Sequence, residues 1–152
     1  MDPFADNLLA NLLKMVQSTK KIVAQAAANS ANALLQHCSY HARLVTQLWH
    51  AMEEKNIQLR TYTIGFVKTV IQSHGDRRDA MERTGGVESL EKCVRKGLTD
   101  AAPKVREGCR EVFWTFYEVW PDRGEKYVNF VTTIFIIVLN TKFNLVKICV
   151  GF

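Results

Sequence analysis

Two acid–arginine pairs at identical spacing open the question of what this chain can do. Glu54 stands six residues before Arg60, and Asp100 stands six before Arg106. Such residues can form ion pairs within the fold or present charge to a partner. A second cluster, His37, Cys38 and His41, resembles half a metal site, because positions four apart share a helix face. Nothing nearby in the sequence supplies the further ligands of a closed tetrahedral zinc. These imidazoles therefore read as a solvent-facing helix end, and neither metal nor cofactor is expected. The carboxylates Glu53, Glu54, Asp76 and Asp79 fall in turns or a linker, where solvation is their expected role. There is no GxSxG, P-loop, GxGxxG after a strand, or HExxH in the sequence, so an enzyme is not expected.

The elements that hold the acid–arginine pairs repeat as well. Both members shift by 46 residues between copies, and the apolar neighbours shift with them: Leu44 to Leu90, Leu48 to Val94, Met52 to Leu98, and Leu59 to Val105. A period in the forties with two helices per unit is the mark of a HEAT-type solenoid, whose units stack in one dimension and serve mainly as protein-binding surfaces. The fold class that follows is an all-α solenoid of antiparallel helix pairs. In such units the arginine six after an acid pairs with that acid or its neighbour's, forming a ladder along the array. That is the first reading of Arg60 and Arg106; contact with a partner is the second.

Helical periodicity places the remaining elements. Leu8, Leu9, Leu12, Leu13 and Val16 make one stripe over about Ala5 to Val16, and a second helix runs from about Ile22 to Gln36. Ser39 is the expected N-cap of the third, which carries Tyr40, Leu44, Val45, Leu48, Trp49 and Met52. Its partner carries Leu59, Thr63, Phe66, Val67, Val70 and Ile71. Ser73 to Gly86 reads as a charged linker with a short helix at Asp76 to Glu82. The second copy turns Val87, Leu90, Val94 and Leu98 inward, and its partner turns Val105, Cys109, Val112, Phe113, Phe116, Val119 and Trp120. Pro103 suits a first helical position, and a fresh helix is expected near Asp122. The tryptophans Trp49 and Trp120 read as packing residues, Trp114 less so.

Composition sets the outer limits. The chain has 152 residues, 47% of them hydrophobic and only three prolines, so most of it should fold. Its net charge of +5 is compatible with an acidic partner. A nucleic-acid solenoid would need a continuous Lys/Arg stripe, whereas here the basic residues are interleaved with Glu and Asp. Four dispersed cysteines without a CxxC pair read as thiols of a reducing compartment. No signal peptide is read at the amino terminus. From Tyr127 to Phe152 there are no acids and many β-branched and aromatic residues. The run Ile134 to Leu139 is far shorter than the roughly 20 residues that span a bilayer, so a membrane partner is not expected.

Several segments resemble the amino-terminal region of the CLASP family (cytoplasmic linker-associated proteins), fungal members above all. They are TKKIVAQ (Thr19 to Gln25), HCSYHARL (His37 to Leu44), EEKNIQLRTY (Glu53 to Tyr62) and the long block GGVESLEKCVRKGLTDAAPKVREGCREVFWTFYEVWPDRGEK (Gly85 to Lys126). The resemblance covers about Asn11 to Lys126 and implies a TOG-like HEAT array that binds tubulin or the microtubule lattice. It further implies stabilisation of microtubules, support of the mitotic spindle, and a cytoplasmic and cytoskeletal location that extends to the spindle and allows the nucleus. A homodimer through regions outside this chain is also compatible with it. The family's binding edge is formed by the turns within helix pairs. Carried over, these are Gln17 to Lys21, Glu54 to Arg60 and Asp100 to Arg106, with Lys20, Lys21, Lys55 and Lys104 as the tubulin-binding lysines and Arg60 and Arg106 beside them. Ala102 departs from the family's asparagine and should lose an N-cap worth about 1 kcal/mol. Gly124 should weaken its helix by up to about 1 kcal/mol. The expected division is a TOG-like fragment, residues 1–126, and a divergent hydrophobic tail, residues 127–152, as in a truncated member. A HEAT scaffold for another protein, or a truncated product without independent function, is the alternative.

Overall fold

Each of the expected apolar stripes becomes one face of a helix. The computed structural model describes residues 3–129 and 131–133. Its α-helices are α1 (Pro3–Val16), α2 (Lys21–His37), α3 (Ala42–Glu53), α4 (Ile57–His74), α5 (Arg78–Arg83), α6 (Gly86–Leu98) and α7 (Pro103–Val119), with a 3-10 turn at Gly75–Arg77 before α5. Residues 121–129 and 131–133 are helical and are called α8. There is no strand among the described residues.

The helices stack in two layers. α1, α3 and α6 lie side by side in one, α2, α4 and α7 in the other, and α1–α2, α3–α4 and α6–α7 are the antiparallel pairs. This is the HEAT arrangement that the 46-residue repeat predicts. All four pairs of matched apolar positions are buried, from Leu44 and Leu90 to Leu59 and Val105. A single core runs the length of the stack, with Leu9, Leu35, Leu48, Phe66, Leu90, Phe113 and Trp120 fully enclosed. Apolar burial at ~25 cal/mol per Å² is what holds the layers together.

Three local expectations are corrected. Ser39 does not cap α3; His41 does, its Nδ1 accepting the amide of Arg43 at 3.2 Å. Tyr40 precedes α3 rather than lying on it, and its hydroxyl meets Thr84 Oγ1 at 3.0 Å. The linker does not begin at Ser73, because α4 continues to His74. That histidine is buried, with Nε2 3.0 Å from the Leu35 carbonyl. Polar residues at the end of α4 read as linker, yet here one of them ties α4 to its layer neighbour α2.

Gly124 also plays a different part from the one helix propensity assigns. It is buried in α8, and a Cβ there would come within 2.6 Å of the Tyr117 ring and 3.3 Å of the Tyr117 backbone. The glycine lets α8 pack closely on α7. From there α8 runs without a break past Lys126: Arg123 donates to Glu88 and Glu91, and the Tyr127 hydroxyl donates to Glu91 Oε1 at 2.6 Å. Val131 is buried. The apolar run Ile134 to Leu139 lies outside the described residues, as does Cys149. No helix among the described residues is long and apolar enough to cross a membrane.

Candidate protein-binding edge

The turns inside the three helix pairs are short, so the stacking of the pairs sets them in a row. Gln58, at the start of α4, donates to the carbonyls of Val16 (2.6 Å) and Ser18 (3.1 Å), tying the first turn to the second pair. Arg60 ties the second turn to the third. Its Nε donates to Asp100 Oδ2 at 2.8 Å and its Nη2 to Oδ1 at 3.1 Å, a bidentate fork. Arg60 Nη1 also donates to the Glu54 carbonyl at 2.8 Å. Arg106 repeats that last contact one unit on, donating from Nη1 to the Asp100 carbonyl at 2.6 Å and to that of Ala101 at 2.9 Å. The six-residue spacing thus has a structural meaning: each arginine, in the first turn of its helix, reaches back to hold the backbone of the turn before it.

Arg60 makes the expected pair with the neighbouring unit's acid, whereas Arg106 holds only the Asp100 and Ala101 carbonyls. The Asp100 side chain is only 3% exposed and that of Arg60 only 11%. Asp100 Oδ1 also accepts the Ala102 amide at 2.9 Å. Burial pushes the Asp100 carboxyl up, but the hydrogen bonds from Arg60 and Ala102 and the Arg60 charge together hold it below its ordinary range. Ala102 itself provides no side-chain cap, and neither does Lys20 at the start of α2. At the same position before α4, Asn56 Oδ1 accepts the Leu59 amide at 3.1 Å.

The four predicted lysines, Lys20, Lys21, Lys55 and Lys104, are all exposed. They do not form one cluster. Lys21 and Lys104 line a groove of about 630 Å³ along the starts of α2 and α4. Lys55 lies across the Arg60–Asp100 bridge in a second groove of about 390 Å³, with Glu53, Glu54 and Lys96. Two features of the edge were missed in the sequence. Lys96 sits in the last turn of α6, where a cation also suits the helix dipole; its place near the end of a repeat's first helix was the available signal. Ile57 is 54% exposed at the first position of α4, an apolar residue directly after a polar turn. Ile22, beside Lys21, is 86% exposed.

His37, Cys38 and His41 are divided between the end of α2 and the cap of α3 on the other side of the stack. Cys93 and Cys109 are buried between α6 and α7, and burial pushes the Cys109 thiol up to about 12. Trp49 packs half-buried against the core, Trp120 is buried, and Trp114 is half exposed.

With the fold and edge established, comparison with known proteins is direct. The sequence model described as CLASP N terminal matches residues 1–134, past Lys126 and along all of α8 that is described. The chain is 40% identical to Protein STU1 of Coccidioides immitis over 125 residues, which is 82% of this chain and 10% of that protein. It is 39% identical to Protein STU1 of Gibberella zeae over 125 residues, 82% of this chain and 11% of the relative. Protein STU1 of Mycosarcoma maydis is 34% identical over 128 residues, 84% of this chain and 10% of the relative. The chain therefore spans about a tenth of the length of these curated relatives. A two-layered HEAT stack, matched over most of its length, leaves one assignment: the chain belongs to the CLASP N-terminal family, a family of structural, microtubule-associated proteins rather than enzymes.

Proposed function

We propose that this chain is a tubulin- or microtubule-binding module that uses the edge made by its intra-repeat turns. The observation that carries the reading is the alignment of three turns by Gln58 and by the Arg60–Asp100 bridge, with Lys20, Lys21, Lys55 and Lys104 exposed along them. Tubulin is acidic, and a rigid row of cations gains on-rate and orientation from charge complementarity. Exposed ion pairs contribute only ~0.2–1 kcal/mol each, so affinity comes from several turns acting together. Arg60 and Arg106 serve this edge by fixing its shape. Lys96 adds to the charge beside Lys55.

In the cell this module stabilises microtubules and supports the mitotic spindle, working in the cytoplasm and at the spindle as part of a cytoskeletal protein. Microtubule co-pelleting of the chain at increasing salt tests the reading, with helicity followed by circular dichroism. Binding that weakens steeply with salt supports it. A fully helical protein that fails to pellet at low salt contradicts it and favours a HEAT scaffold for a different partner.

A further inference from the structure

The groove between the starts of α2 and α4 has a chemistry of its own. Two of its lining residues are Lys21 and Lys104, and no carboxylate lines it. Its floor is apolar: Ala24 is fully buried there, Ile57 is half exposed, and the Tyr62 ring packs against the core. Of the uncharged polar residues that line it, Gln25, Gln58, Thr61 and Tyr62 are already engaged, and Thr19 stands in the first turn beside Lys21. Tyr62 donates to Gln25 Oε1 at 3.0 Å, Gln25 Nε2 donates to Asn29, Thr61 donates to the Ile57 carbonyl, and Gln58 is held by the first turn. An incoming ligand therefore meets cations at the rim and an apolar surface below, with few hydrogen-bonding groups to satisfy. The second groove, across the Arg60–Asp100 bridge, differs in kind because Glu53 and Glu54 line it beside its lysines.

We propose that this groove takes an extended acidic segment of tubulin that carries an apolar side chain between carboxylates. The inference rests on the tubulin reading above and narrows it. The edge does not act as an even row of charges; Lys21 and Lys104 hold carboxylates while the apolar side chain seats against Ile57 and Tyr62. Aliphatic and aromatic contacts centred in a desolvated pocket carry more affinity than rim charges. Salt dependence then reports the lysines, and affinity at high salt reports the floor.

The test uses the full chain and a fluorescent synthetic peptide of glutamates with one central phenylalanine, read by anisotropy. The companion peptide has serine in place of the phenylalanine. The wild type binds the first peptide and binds the second several-fold more weakly. Thr61→Trp, which fills the groove, weakens binding of the first peptide about tenfold, as loss of a central contact would. Arg78→Ala, exposed on α5 between the end of α4 and the start of α6 and lining neither groove, leaves peptide binding unchanged. If Thr61→Trp lowers helicity, Ile57→Ser at its exposed position takes its place with the same expectation. Failure of the wild type to bind the peptide overturns the proposal, as does equal binding by the groove variants or of the two peptides. Tubulin binding separates the two claims. If tubulin binding is intact in the groove variants but lost on Lys55→Glu, the groove proposal falls and the edge reading stands. If the peptide binds but tubulin does not, the assignment to tubulin falls.

Discussion

Arg60 and Asp100 join two HEAT units through a two-pronged hydrogen-bonded ion pair, 2.8 and 3.1 Å long, set 40 residues apart in the sequence. The same carboxylate holds the Ala102 amide, and the same guanidinium holds the Glu54 carbonyl. One pair of side chains therefore fixes the second turn, the third turn and the distance between them. Replacing one partner leaves the other charged and enclosed. Asp100→Ala is expected to lower stability by about 3–5 kcal/mol, read from urea unfolding followed by circular dichroism. A loss below about 1 kcal/mol would show that the bridge is incidental to the stack.

The bridge also sets a pH dependence. The Asp100 carboxyl is held below its ordinary range in the fold, so the folded chain binds that proton more weakly than the unfolded chain. Its contribution is complete above the ordinary carboxyl pKa of about 4 and is lost as pH falls through the lower folded value. Glu88 adds in the same direction. Burial opposes ionisation there, but its backbone hydrogen bond and Arg123 outweigh the burial and hold it low. The melting temperature should fall on acidification below pH about 4–5, and Asp100→Asn should make that fall shallower.

Gly124 distinguishes packing from propensity. Helix propensity alone predicts that Gly124→Ala stabilises α8 by up to about 1 kcal/mol. The approach of Tyr117 predicts the opposite, a loss of about 1–3 kcal/mol from overpacking. Thermal unfolding of the single variant gives the sign.

The repeat, the helix pairs and the inward faces were legible in the sequence because an amphipathic helix writes its burial at every third or fourth position. The six-residue spacing marked the Arg60–Asp100 pair, but that Arg106 holds backbone carbonyls and not a carboxylate could not be read from it. What escaped was set by contacts between distant segments. His74 reads as linker until the Leu35 carbonyl is brought to it across 39 residues. Gly124 reads as a weak helix residue until Tyr117 packs over it. On the edge, the lysines could be named from the turns. That Lys21 and Lys104 line one groove and Lys55 another, only the latter lined by acids, depends on which helix each turn enters and could not be read from local sequence.

Tyr127 shows how far the stack extends. Its hydroxyl donates to Glu91, and that bond above all, together with burial, raises the phenol's pKa. Tyr127→Phe should cost about 1 kcal/mol, measured by urea unfolding against wild type. No change would mean that α8 adds nothing to stability through this contact.

The central claim is that the turn lysines bind microtubules on an edge the arginines hold in place. The most direct measurement is the co-pelleting affinity of a variant with Lys20, Lys21, Lys55 and Lys104 all changed to Glu, compared with wild type at low salt. The Arg60–Asp100 bridge remains intact in that variant, so its melting temperature should match. With four exposed contacts of ~0.2–1 kcal/mol each replaced by repulsion, its affinity should fall by at least about tenfold. Equal affinity in an equally stable variant would contradict the account.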